Sequence, residues 1–89
     1  MQTECDPLSE LREKLQSDEV YATRARILGM RIQMARKLMK LTQYEFAHVL
    51  KTNHMRVSRW ENGSYPPSTV ELMQISDVTE KPTQWYYEQ

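Results

Sequence analysis

Eighty-nine residues allow one small domain, not two, and 39% hydrophobic content gives it one modest core. The single cysteine, Cys5, excludes an internal disulfide. No apolar run approaches the ~20 residues of a membrane span and the N-terminus is too acidic for a signal peptide, so a cytoplasmic protein with no membrane association is expected. Net charge is zero, yet residues 1–20 carry two basic and six acidic side chains, residues 21–63 nine and two, and residues 64–89 one and four; a basic block of this kind points to a polyanionic partner, and solvated helix faces are the plain alternative.

In chain order, Pro7 and Ser9 open a short helical segment, Leu8 to Leu15, within an acidic N-terminal extension spanning 1–20. Ser17-Asp18-Glu19 reads as the cap of the next helix, with acids where the helix dipole favours them. From there Tyr21, Ala25, Leu28, Ile32 and Ala35 recur at spacings of four and three, and Leu38 extends the stripe. Gly29 lies off that stripe and costs the helix about 1 kcal/mol relative to alanine, unless another backbone approaches there.

Thr42-Gln43-Tyr44-Glu45 is a capping box, and Phe46, Ala47 and Leu50 give the second helix its apolar face. Asn53 caps a third helix with Val57 and Trp60 inward. Asn62-Gly63 stops it, with Gly63 suited to a left-handed position, and Pro66-Pro67 forbids continuation. Ser68-Thr69-Val70-Glu71 is a second capping box, opening a helix with Leu72 and Ile75 inward. Pro82 suits the first turn of a last short helix carrying Trp85 and Tyr86. With two glycines and no strand alternation the fold is expected to be all-α, its domain running over 21–89.

The corner between the second and third helices is only Leu50 to Asn53, so the two must cross steeply, and Ala47 supplies the small residue at the contact. This leaves His54, Met55, Arg56, Ser58 and Arg59 on the free surface of the third helix. Leu28 to about Tyr86 resembles the lambda repressor/Cro-like helix-turn-helix family. The resemblance rests on Leu-Gly-x-Arg-Ile and Ala-Arg-Lys in the first helix, Leu-Thr-Gln, Ala47, Val-Ser-Arg-Trp-Glu-Asn-Gly, the proline after it, and Ile75-Ser76-Asp77-Val78 through Trp85.

That resemblance implies a compact five-helix lambda-repressor-like domain, preceded here by the helical extension, that docks helix 53–61 in the DNA major groove. Gln43 would touch phosphate and brace the first residues of the third helix. Asn53, His54, Met55 and Arg59 fall where the family reads base edges or nearby backbone, with Arg56 and Ser58 as additions. Arg36 and Glu61 match a pair that forms an internal salt bridge in several members. Lys51 stands where the family usually has glycine, and a left-handed lysine there costs ~1 kcal/mol.

Chemistry sharpens these roles. Arg59 can donate two parallel bonds to guanine, worth roughly 1–3 kcal/mol of discrimination. Asn53 can pair with adenine or simply cap its helix. His54 can donate to a base or to a phosphate, and Met55 offers only apolar contact, for instance to a thymine methyl. Backbone contacts are expected from Gln43, Lys40, Thr42, Asn62, Ser64 and Tyr65, with Tyr44 either packing or donating to phosphate. Lys37 and Arg31 add field without contact.

His48 and His54 share no ligand cluster, and Ser58 has no base in helical register, so neither a metal or other cofactor nor an enzyme activity is expected. Trp60 and Trp85 are expected in the core. The leading function is a sequence-specific double-stranded DNA-binding regulator, a phage-type or prokaryotic repressor acting as a homodimer on a two-fold operator. An antitoxin that autoregulates through the same motif, with residues 1–20 facing a protein partner, is one alternative. A protein-interaction module that has lost DNA binding is another.

Overall fold

The computed structural model describes residues 18–87; the extension helix at 8–15, the cap at Ser17 and most of the 1–20 segment lie outside the described residues. Five helices and no strand are present among them: α1 (Asp18–Leu38), α2 (Gln43–Val49), α3 (His54–Glu61), α4 (Thr69–Thr79) and α5 (Thr83–Tyr87). No described helix is long and apolar enough to cross a membrane.

The caps fall where the sequence places them. Glu45 N–H donates to the Thr42 hydroxyl at 3.1 Å while Glu45 Oε1 accepts from Thr42 N–H at 2.8 Å. Ser68 and Glu71 repeat the exchange at the start of α4. Asn53 Oδ1 accepts from Arg56 N–H at 2.9 Å. α3 ends with Gly63 at φ +80°, where Gly63 N–H reaches Trp60 carbonyl and Ser64 N–H reaches Arg59 carbonyl, the paired bonds of a left-handed helix stop.

The core gathers Ile32, Phe46, Val57, Trp60, Ile75 and Tyr86, so that every helix contributes, with Leu28, Ala35, Ala47, Leu50 and Leu72 between them. Ala25, Leu28, Ile32 and Ala35 are buried as the α1 stripe predicts, but both its ends differ. Leu38 is 66% exposed. A three-residue step falls about 60° short of a full turn, so a further step of three beyond Ala35 rotates Leu38 off the buried face. Tyr21 keeps the right angle but overshoots the core; it is exposed, lining a groove with Pro66, Pro67 and Tyr86. Trp60 is buried, whereas Trp85 is only half-buried, with Arg31 Cζ 5.0 Å and Lys81 Nζ 5.1 Å from its ring centroid. Arg31 therefore has a contact inside the protein.

Gly29 has the close neighbour that its cost in a helix calls for. A Cβ there would stand 2.3 Å from the Trp60 carbonyl oxygen and 2.7 Å from that of Glu61. The end of α3 rests on the bare backbone of α1, and this crossing sets the angle at which α3 leaves the core.

Candidate nucleic-acid interface

One ionic cluster holds α3 from beneath. Arg36 Nε donates to Glu61 Oε2 at 2.6 Å and its Nη2 to Glu61 Oε1 at 3.0 Å, while Nη1 donates to the Leu41 carbonyl at 2.8 Å. Both side chains are at most one-tenth exposed. A two-pronged buried pair of this kind is strong when complete, and removing one partner typically costs about 3–5 kcal/mol. Gln43 Nε2 adds a bond to Glu61 Oε1 at 3.1 Å. Gln43 therefore braces the last residue of α3, through Glu61, and not its first residues as the resemblance implied.

The residue that does meet the start of α3 is Tyr44. Its ring stacks on the His54 imidazole with centroids 4.1 Å apart and planes 23° from parallel. Ten residues separate the two in sequence, and only the tight corner brings them together. Lys51 in that corner is left-handed, at φ 59°. Its N–H and that of Thr52 satisfy the carbonyls of His48 and Ala47, so the turn is built as glycine would build it.

α3 turns Val57, Trp60 and Glu61 inward. Met55 and Arg59, four residues apart, therefore share the opposite face, with Ser58 half-buried at one edge. Arg59 is exposed and has no ion pair or side-chain hydrogen bond among the described residues. Arg56 lies on the other edge, where its Nε donates to Glu71 Oε2 at 2.6 Å. Glu71 was legible in the sequence only as a capping residue; its second oxygen turns Arg56 toward α4. Asn53 Oδ1 is occupied in capping, leaving its amide N–H groups uncommitted.

The flanks carry the remaining candidates. Asn62 Oδ1 accepts from Ser64 N–H at 2.8 Å and shapes the loop after α3. Tyr65 is 59% exposed and lines a cleft of about 520 Å³ with Arg56 and Glu71. Lys40 is exposed at the left-handed stop of α1, and Thr42 is exposed with its hydroxyl engaged in the cap. α3 is thus a ridge with a free guanidinium on its exposed face, and the loops before and after it supply hydroxyls and amides.

A family profile described as helix-turn-helix matches residues 32–86. The HTH-type transcriptional regulator DicA of Escherichia coli (strain K12) is 38% identical over 58 residues, which is 65% of this chain and 43% of the relative. The match thus spans less than half of that relative's length. No solved structure gives a significant match. The profile takes in the last third of α1, the whole α2–α3 corner and both closing helices, and the chain belongs to the lambda repressor/Cro-like family of DNA-binding helix-turn-helix domains.

Proposed function

We propose that this protein regulates transcription by binding double-stranded DNA in a sequence-specific manner, as a homodimer on a two-fold operator, with helix 53–61 in the major groove. The observation that carries the reading is Arg59: a guanidinium left without a partner on the exposed face of a helix whose other face is fixed by Trp60, Gly29 and the Arg36–Glu61 pair. A free, rigidly carried guanidinium is the side chain best suited to guanine O6 and N7. That the 38% identical relative is a transcriptional regulator supports the regulatory role.

On this reading Met55 meets an apolar base edge, and His54, held by Tyr44, donates to a base or phosphate beside it. Ser58 and the Asn53 amide complete the base-reading set. Gln43, Lys40, Thr42, Tyr44, Asn62, Ser64 and Tyr65 contact the backbone. Arg56 serves the phosphate on the α4 side, where Glu71 orients it. One such ridge spans only a few base pairs; two of them one helical turn apart, about 34 Å, give a site of useful length.

Selection from a random duplex pool tests this directly. The expected product is an inverted repeat whose half-site centres lie 10 or so base pairs apart. Arg59→Ala should weaken binding to that site by roughly 1–3 kcal/mol while leaving binding to unrelated duplex nearly unchanged. Equal losses on both would move Arg59 to the phosphates, and a pool that yields no enriched sequence would defeat the proposal.

A further inference from the structure

α1 is apolar on two faces. One carries Ala25, Leu28, Ile32 and Ala35 into the core. The opposite one carries Val20, Ile27, Met30, Met34 and Leu38, at spacings of seven, three, four and four. Met30, Met34 and Leu38 are 56%, 49% and 66% exposed, and Val20 and Ile27 are half-buried. A helix with apolar stripes on opposite faces is built to be covered on both.

Charge selects the cover. After Glu19 the helix carries no acidic residue, while Arg24, Arg26, Arg31 and Lys37 all lie in its remaining length. Two copies of α1 laid together would bring their central arginines against each other, with acids only in the first turn. The complementary surface is acidic and amphipathic, and this chain supplies one. Residues 4–15 contain Leu8, Leu11 and Leu15 at helical spacing among Glu4, Asp6, Glu10 and Glu13.

We propose that residues 4–15 lie antiparallel along the outer face of α1. Gln16 and Ser17 make a connection of the length that joins antiparallel helices. Equal rise along both segments then brings Leu15 level with Val20 and Leu8 level with Ile27. Glu10 comes level with Ala25, between Arg24 and Arg26. The residues ahead of Pro7, if extended, span up to roughly 20 Å, against roughly 16 Å of helix axis from Ile27 to Leu38, so the same segment reaches Met30 and Met34. The acidic extension thereby shields the cations of α1 and completes the domain on its outer side.

Methionine oxidation reads this contact in the full chain. Met55 and Met73, 54% and 55% exposed, serve as internal references of matched exposure. Under dilute peroxide, Met30 and Met34 should form sulfoxide at least about five-fold more slowly than Met55 and Met73. Replacing Leu8, Leu11 and Leu15 together by serine should bring the four rates together, with the helical circular dichroism of the domain retained. Three results would overturn the proposal: equal rates in the unaltered chain, protection that survives the triple substitution, or protection that rises with protein concentration. The last would assign the face to a second copy. Each outcome is independent of whether the protein binds DNA.

Discussion

Among the described residues three side chains sit in the left-handed region without being glycine: Lys40 at φ 61°, Lys51 at 59° and Glu80 at 58°. Each closes a helix, and each adds a Cβ where the backbone has least room for it. Glycine at Lys51 should therefore stabilise the domain by roughly 0.5–1 kcal/mol, the relief of strain exceeding glycine's greater entropy in the unfolded chain. Glycine at Glu80 should do the same. The two should differ in DNA binding, because Lys51 stands in the corner that presents α3 and Glu80 does not. Urea unfolding should show a higher midpoint at unchanged slope for both variants. Lys51→Gly alone should lose affinity for duplex and show a shallower dependence on salt. A Lys51 variant that gained stability and kept its full salt dependence would mean that the lysine has no part in meeting the phosphates.

At the scale of helices, the contact that matters most is α1 against α3. Gly29 admits the α3 carbonyls, and the Arg36–Glu61 pair locks the same crossing about two turns further along α1. By propensity alone, Gly29→Ala should help α1 by about 1 kcal/mol. The structure reverses that sign: the new methyl would meet two backbone oxygens within 2.7 Å, and neither can rotate away. The helices must separate, which costs at least about 2 kcal/mol net and shifts α3 relative to the rest of the ridge. Thermal unfolding should show a lower midpoint for Gly29→Ala, and operator affinity should fall even at temperatures where the variant is folded. A higher midpoint would mean that the helices do not approach this closely in solution.

Across the whole molecule, the local signals were the legible ones. Capping boxes at Thr42 and Ser68, the stop at Gly63 and the inward faces of α2 to α4 are written within four residues of themselves. Contacts between elements were not. Tyr44 on His54, Glu71 on Arg56 and Gln43 on Glu61 join residues 10 to 18 apart, and no periodicity announces them. The same holds for Tyr86. As one of three consecutive aromatics, Trp85 to Tyr87, it could be placed on α5, but not as the side chain that closes the core.

Tyr86 is fully buried, and its hydroxyl lies 2.5 Å from Thr79 Oγ1. Thr79 already donates its proton to the Ile75 carbonyl at 2.7 Å, so Tyr86 is the donor of the pair. Burial, the largest cause, pushes its pKa above the ordinary 10.0, and a phenol that donates its proton to Thr79 has no hydrogen bond there to stabilise the phenolate. A folded pKa above the unfolded one means that the folded state holds its proton longer. The stabilisation is complete below pH 10 and is lost as pH rises from there through the folded value. The domain should therefore lose stability in alkali because the unfolded state releases a proton that the folded core retains. Tyr86→Phe removes the titrating group and should lower stability near neutral pH by about 1 kcal/mol. It should also flatten the alkaline decline, so that the two urea midpoints converge between pH 10 and 11. Parallel declines in the two proteins would show that the last helix opens before Tyr86 ionises, and that the core between α1, α4 and α5 is not closed as a unit.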